Sequence, residues 1–574
     1  MAFNNEEQNT KNMIIAILAF IVVMFLYNFF SGNSNNVTTS EQIEAENNSD
    51  NIEKDLPAKS AQPLAKEASR IFIENSNFIV AINLNGGILD EITLKKYKQS
   101  TQENSAEVML LTHKGTDSEY YYAINYKDKT NDDNISDDTV WSIIENNANK
   151  AVIQTKTQNG LIVERSITLD DGYVVTIKDR IINGSNKDIS ISKIVNLVRT
   201  KPIRNNYAVV HEGLIYNYKK DNAERKHTNV CAVKYSKIEN KEVIRNCNWI
   251  GYTDIYWLCS ILNYDDASAV SYSKIGDDSY KISLYTKSYI TIPENKAIEL
   301  KHALYAGPKD INVLKNYADN LGIDKFEMTI DFGWFFMITK PLVYLMDFLA
   351  SLFSNMGLVI LLLTLLFKII TYPLIKKSFE SAGRMREIQP KIVALQKMYG
   401  SDKMRMNQEI MSLYKREKVS PMSGCLPMIL QAPIFFCLYK VFFISIEMRH
   451  APLFGWIHDL SAPDSLYIFN LFGLIDWDLP GFLKIGVWPL IMGITMLIQQ
   501  KLSSASGGKK NIEKTQEMKI QENMMLIMPI LFTYICASFP VSIVIYWTIS
   551  NIFSMVQQYY VNSNIKKANK KDVI

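Results

Sequence analysis

The chain has 574 residues, 62 Lys and Arg against 59 Asp and Glu, and a formal net charge of +3. Its 47% hydrophobic residues are concentrated in six strongly apolar runs, 13–30, 357–375, 425–446, 485–500, 524–539 and 541–560. Each approaches the roughly 20 residues a helix needs to cross about 30 Å of hydrocarbon, which excludes a wholly soluble protein, and the clustering of five runs after residue 356 excludes a single-anchor one.

Residues 13–30 (MIIAILAFIVVMFLYNFF) follow Lys11, Glu6 and Glu7 and end in Asn28-Phe29-Phe30. A signal peptide has a positive n-region, a shorter apolar core and a small-residue cleavage site, so an uncleaved anchor over 1–30 is expected. Residues 31–68 are polar and aperiodic, rich in Asn, Ser and Glu. That composition buries no core and predicts a disordered tether. Residues 69–328 read as strands. Asn77–Asn83 and Ile88–Tyr97 flank Gly86-Gly87, Leu161–Leu169 and Tyr173–Asn183 flank Asp170-Asp171-Gly172, and Lys187–Val198 follows a Gly-Ser-Asn turn. Alternation between tight turns predicts antiparallel hairpins in a large all-β sandwich, with no strongly periodic helix before about 309–320.

Residues 332–353 (FGWFFMITKPLVYLMDFLASLF) are apolar enough for a seventh span, but Lys340-Pro341 and Asp347 interrupt them and aromatics are abundant. An amphipathic helix lying in the interface, within 329–353, fits better. Lys and Arg outnumber Asp and Glu by 11 to 5 in 376–424, 5 to 3 in 501–523 and 4 to 1 in the tail 561–574, whereas 448–484 holds 2 against 4. Basic loops stay cytoplasmic. The alternation places 376–424, 501–523 and the tail inside, with a second span at 354–375 and spans three to six within 425–560. An interfacial 332–353 makes 31–353 periplasmic and both termini cytoplasmic; a spanning one would force the β-domain into the cytoplasm.

Within 376–424, Met385, Ile388, Ile392, Leu395 and Met398 recur at helical spacing. Gly400 stops that helix, Ser401-Asp402 caps a second, and Met406, Ile410 and Leu413 continue the stripe. This predicts an antiparallel helical hairpin. Seven of the 23 Met lie between 385 and 428. They either pack the hairpin onto itself or offer a deformable surface to varied partners. The basic residues suit anionic lipid headgroups, the default for a juxtamembrane loop, and also ribosomal RNA.

Lys368, inside LVILLLTLLFKIITYPLI, lies roughly 17 Å along its helix from Gly357. An ammonium near mid-bilayer costs about 2.5–3.5 kcal/mol on insertion scales. Either it snorkels toward Lys376, about 12 Å away, or it sits in a hydrated, protein-lined cavity. Thr364, four residues earlier, shares its face; its hydroxyl either bonds its own backbone or extends a polar stripe. Gln431, Thr495, Gln499, Thr548, Ser550 and Asn551 bring polar groups from other spans. Each alone suits interhelical glue; together with Lys368 they suggest a wet groove. No acidic residue lies in runs two to six, which disfavours a proton relay.

Motif chemistry is sparse. No G-x-x-x-x-G-K-[ST], C-x-x-C, H-E-x-x-H or G-x-S-x-G occurs, so no P-loop, zinc ribbon, zinc protease or nucleophile elbow is expected. Three of the six Cys lie in apolar runs. No metal, cofactor or small-molecule substrate is expected, and the protein reads as a machine of binding and solvation.

The segments TYPLIKKS (371–378), MREIQPKI (385–392), YKREKVSPMSGCLPMILQAPIF (414–435) and RHAPLFGWIHDLSAPD (449–464), with Phe539-Pro540 and Ser550-Asn551, resemble the bacterial YidC membrane protein insertases. The resemblance implies a multi-span α-helical membrane protein of six transmembrane helices, five of them forming a core with a hydrophilic groove open to the cytoplasm and lipid. It also implies a periplasmic β-super-sandwich similar to sugar mutarotases. The family's groove carries an Arg where this chain has Lys368, so a permanently charged five-donor fork is replaced by a three-donor ammonium. Thr364, Gln431 and the pair Tyr546-Trp547 match other groove and client-contact positions, Trp547 replacing a family Tyr. The implied partners are nascent membrane proteins, the Sec translocon, and the ribosome and anionic lipids at the basic segments. The competing classes are a small-anion transporter, for which no inverted repeat is visible, and a membrane-anchored sugar-modifying enzyme, for which the β-domain shows no acid–base cluster.

Overall fold

A computed structural model describes residues 70–129, 134–204, 210–219, 228–238, 242–244, 247–263, 268–399, 402–417, 419, 426–475, 479–505 and 516–571. The expected anchor (1–30) and tether (31–68) lie outside the described residues, as do Gly400 and Ser401. The chain divides into two compact units at Phe332/Gly333, with 444–446 grouped with the first.

The first unit is two antiparallel sheets. One runs in the order β1 (Arg70–Glu74), β2 (Phe78–Asn83), β3 (Ile88–Lys98), β5 (Tyr120–Asp128), β10 (Ile189–Thr200), β17 (Ser279–Thr286), β16 (Ser268–Lys274) and β13 (Glu242–Ile244). In it β4 (Glu107–Leu111) pairs with β3 and β18 (Ile290–Ile292) with β10. The other runs β12 (Thr228–Lys234), β11 (Gly213–Lys219), β14 (Cys247–Thr253), β15 (Trp257–Leu262), β19 (Ala297–Pro308), β9 (Val174–Asn183), β8 (Leu161–Leu169), β7 (Lys150–Lys156) and β6 (Ser142–Asn146). The Gly86-Gly87 turn works because both residues take positive φ, 93° and 57°, which side chains resist.

Strict alternation turns Leu161, Val163, Ile167 and Leu169 of β8 inward, and the same alternation buries Arg165. Asp179 of β9 stands directly opposite it. Arg165 Nε and Nη2 donate to the two Asp179 oxygens at 2.9 and 2.8 Å. Its remaining donors reach the carbonyls of Gly87 at 2.9 Å and Ile124 at 3.1 Å, and the guanidinium lies over the Trp141 ring at 4.5 Å. Tyr126 of β5 donates to Asp179 at 2.5 Å. One ion pair therefore fastens the two sheets to each other. A single described helix of more than one turn follows the strands, α1 (Ile311–Leu321), begun by Asp310, whose carboxylate accepts from the Asn312 and Val313 amides.

The second unit is helical: α2 (Phe336–Leu352), α3 (Met356–Met398), α4 (Lys403–Arg416), α5 (Leu426–Ile444), α6 (Val487–Ala505), α7 (Gln516–Cys536) and α8 (Val541–Lys571). α3 packs along α8, α8 along α6 and α6 along α7. No break separates the second span from the basic loop, as a boundary at 375/376 had implied. α3 runs unbroken through Pro373 and Pro390. Each proline deletes one amide donor, and 43 residues of helix supply ample remaining bonds. α4 starts where expected: Asp402 Oδ1 accepts from the Arg405 amide at 3.1 Å. Lys391 and Glu417 join the two arms at 2.7 Å. α8 likewise continues past 560 into the basic tail as far as Lys571.

Among the described residues one helix, 356–385, is long and apolar enough by itself to cross a membrane, and 431–444 and 526–536 are shorter apolar stretches. The expected count of six spans is not confirmed by length and composition among the described residues, which leave out the first expected span. In α8, Ser550, Asn551, Ser554, Gln557 and Gln558 interrupt an otherwise apolar sequence.

Candidate functional site

In the helical unit several polar groups are buried while many aliphatic ones are exposed. Lys368, Thr364, Thr495, Thr548, Ser550, Asn551 and Gln558 are buried, whereas Ile369, Ile370, Ile494, Ile530 and Val556 are exposed. Hydrocarbon as solvent favours that inversion.

α8 sorts its polar residues onto two faces. Tyr546, Ser550, Ser554 and Gln557 recur at spacings of four, four and three, one stripe of a helix. Asn551 and Gln558 lie seven apart on a second stripe. The first stripe meets α3 and α5. Lys368 Nζ donates to Ser554 Oγ at 2.8 Å, and Gln557 Nε2 donates to the Lys368 carbonyl at 3.2 Å. Lys368 is 5% exposed, and among the described residues no carboxylate lies within ion-pair distance of it. The ammonium is turned toward α8 and does not snorkel along α3. Higher on the same stripe, Gln431 Nε2 donates to the Tyr546 hydroxyl at 2.7 Å.

The second stripe faces α6. Asn551 Nδ2 donates to Thr495 Oγ1 at 3.1 Å, and Gln558 and Ser503 side chains pair at 3.1 Å. These are interhelical bonds that hold α6 on α8. Thr364 Oγ1 donates to the Ile360 carbonyl at 2.7 Å, so its hydroxyl is spent on its own backbone while its position stays one turn from Lys368. Trp547 points elsewhere, its ring 4.6 Å from Phe435 and 5.2 Å from Phe532, a wedge between α5 and α7. The structure thus joins Gln431 to Tyr546 and brings Lys368 to Ser554, eight residues or about 12 Å farther along α8.

Three comparisons with known proteins bear on this arrangement. The family model described as 60Kd inner membrane protein matches residues 348–569, and that described as YidC periplasmic domain matches 70–345. The membrane protein insertase YidC of Pelagibacter ubique (strain HTCC1062) is 34% identical over 569 residues, covering 96% of this chain and 98% of the relative. That of Rickettsia bellii (strain OSU 85-389) is 35% identical over 575 residues, covering 96% and 99%. The chain belongs to the YidC family of membrane protein insertases. A solved structure described as an active YidC insertase with the first transmembrane domain resolved covers 95% of this chain and 99% of its own, at 14% identity and a TM-score of 0.35. As a YidC-family member the protein is an insertase of the bacterial inner membrane and not an enzyme, and its clients are nascent membrane proteins.

Sequence reasoning missed three participants in this YidC-family core. Ser554 and Gln557 continue the helical spacing of Tyr546 and Ser550, a signal present in the sequence. Lys440 of α5 is a second buried lysine, also 5% exposed, so Lys368 is not the lone cation of the apolar runs. It lies inside the apolar run 425–446, four residues before the end of α5.

Proposed function

We propose that client segments enter along the stripe where α8 faces α3 and α5, with Lys368 as the electrostatic receiver and Gln431 and Tyr546 as neutral polar contacts. The observation that carries this is the burial of Lys368 against a hydroxyl, with no carboxylate to neutralise it among the described residues. A polar lane partway into the bilayer shortens the dry path for a translocated segment, and a positive charge attracts its acidic residues. The client's own apolar helix then partitions to lipid, gaining about 25 cal/mol per Å² of apolar area, and no nucleotide is needed. Thr364 lies one turn from Lys368 beside the lane, its hydroxyl held by the Ile360 carbonyl, while Trp547, next to Tyr546, adds aromatic surface with Phe435 and Phe532 between α5 and α7. A photo-crosslinker at Gln431 should capture a stalled nascent membrane protein, and one at Thr495 of α6, which meets the second stripe of α8, should not. Equal capture from both sites would reject the lane.

The wider architecture follows the same reading. Six spans are the best reading: the exposed aliphatic and buried polar residues support α3, α5, α6, α7 and α8 as the core, and the apolar run 13–30 supplies the first span by its sequence. The β-unit within 31–353 is periplasmic, the hairpin and tail are cytoplasmic, and α2, with Phe336 and Met337 exposed and Trp334 exposed just before it, lies in the interface. The basic hairpin meets anionic lipid and the ribosome, and insertion proceeds alone or with the Sec translocon. Cysteine labelling in sealed vesicles should reach Ser401→Cys only from the cytoplasmic side and Asp171→Cys only from the periplasmic side. Labelling of both from one side would overturn this topology.

A further inference from the structure

The segment between α5 and α6 carries an ordered apolar tip that the insertion lane does not use. Phe469, Leu471, Phe472, Leu474 and Ile475 are all exposed, Leu474 to 85%. The tip is not loose chain. The Leu471 and Leu474 amides bond to the carbonyls of Ile468 and Leu471 at 2.9 and 3.2 Å. The Phe472 amide bonds to Tyr467 at 3.0 Å, and the Gly473 and Ile475 amides to Asn470 at 3.2 and 3.1 Å. Leu471, Phe472 and Gly473 all take positive φ, 50°, 61° and 86°, a conformation that side-chain-bearing residues rarely adopt. The five amides from Leu471 to Ile475 are bonded within the segment while the apolar side chains are exposed, the reverse of a polar water-exposed loop.

The root of the tip is fixed to the start of α6. Tyr467 pairs with Gly486, and the Ile468 and Val487 amides bond to the Ile485 and Leu466 carbonyls at 3.3 and 3.2 Å. Asp464 accepts from the Trp488 amide in the first turn of α6 at 2.7 Å and from Trp456 Nε1 at 2.9 Å. The tip is therefore held within a few residues of the point where α6 enters the bilayer.

We propose that residues 469–475 form a membrane-dipping tip seated in the outer-leaflet interface beside α6, its partner being the lipid surface itself. The inference rests on α6 being a span. Internal bonding of the amides from Leu471 to Ile475 lowers the cost of seating the tip at the interface, above the hydrocarbon where unbonded backbone is excluded, and five apolar side chains supply the buried surface. Between 465 and 483 the sequence has two Asp and no Lys or Arg. Apolar burial, not attraction to anionic headgroups, holds the tip.

The test is depth-resolved quenching in proteoliposomes of phosphatidylethanolamine and phosphatidylglycerol. An environment-sensitive fluorophore is attached through Phe472→Cys or Leu474→Cys in a full-length, otherwise cysteine-free variant that retains insertion. Ile494→Cys in mid-α6 and Met398→Cys at the end of α3 serve as the lipid and water references. At both tip positions, phosphatidylcholine spin-labelled near the headgroup should quench at least three times as strongly as it does at Met398→Cys, and aqueous iodide at most one third as strongly. Replacing phosphatidylglycerol by phosphatidylcholine should leave this unchanged. Quenching by iodide alone would show a solvated loop and overturn the proposal. Protection from both quenchers would show a protein cover, such as a second copy, and would overturn it equally. Loss of lipid quenching at Ile494→Cys would take the span reading down with it, whereas its persistence confines the failure to the tip.

Discussion

Lys368→Glu is expected to lower insertion of clients with acidic translocated segments by about tenfold or more, and of neutral or basic ones by no more than about threefold. Two unit charges several ångströms apart interact by about 2–4 kcal/mol at an effective dielectric near 20, and each 1.4 kcal/mol is a factor of ten. Reversing the sign turns that attraction into repulsion for an acidic segment and removes only a neighbour's charge for a neutral one. The site tolerates the change locally, because Ser554 Oγ, which accepts from Lys368 at 2.8 Å, can donate to a carboxylate instead. Lys368→Arg should retain activity, since it keeps the cation and adds donors. Lys368→Ala should fall between, leaving Gln431, Tyr546 and Ser554 to hold the lane polar. The measurement is insertion of paired clients differing only in the sign of one translocated segment. Equal loss on both members of the pair would mean that Lys368 supports the α3–α8 contact and does not receive charge.

How much of this was legible in advance depends on the kind of residue. Period-two alternation and glycine turns read directly, and β8 appears at Leu161–Leu169 with the bounds that alternation set. Asp402 read directly as a cap because its carboxylate has a local job. Lys368 stood out because hydrocarbon makes any charge costly. Its partner did not, because a serine in a helix carries no such cost and is found only by extending the Tyr546–Ser550 spacing one turn. The division of α8 into a lane face and a glue face was not legible either. Ser554 and Asn551 lie three residues apart yet meet different helices, α3 and α6, and only packing decides which neighbour each meets. The boundary at 375/376 misled in the other direction. A change from apolar to basic side chains does not stop a helix, and α3 runs on through it from Met356 to Met398. Arg165 was overlooked although the pattern exposed it: a charge at an inward position of a strand demands a partner, and Asp179 stands at the matching inward position of the next strand.

That pair carries the second large effect. Arg165→Met is expected to destabilise the β-unit by about 3–5 kcal/mol, the cost of leaving one member of a buried pair without the other. Asp179 would keep the Tyr126 hydrogen bond but lose both guanidinium bonds, and the Gly87 and Ile124 carbonyls would lose the Arg165 donors. The double variant Arg165→Met with Asp179→Leu should recover a large part of the loss, because the uncompensated charge is gone while the two carbonyls and the Tyr126 hydroxyl stay unpaired. The same geometry sets a pH dependence. Burial works to raise the Asp179 pKa, but the charge and paired hydrogen bonds of Arg165 outweigh it and hold the carboxyl below its ordinary value. A carboxyl held low in the folded state stabilises above its unfolded value of about 3.9 and loses that contribution as pH falls through its lowered folded value. Protease resistance of residues 70–332 within the full chain, followed against urea at pH 7 and at successively lower pH below about 4, reads both effects. The wild type should lose stability over the acid range more steeply than the double variant, which has no carboxyl at 179 to protonate. Parallel acid profiles for the two proteins would show that the pair is not what ties the sheets together at neutral pH.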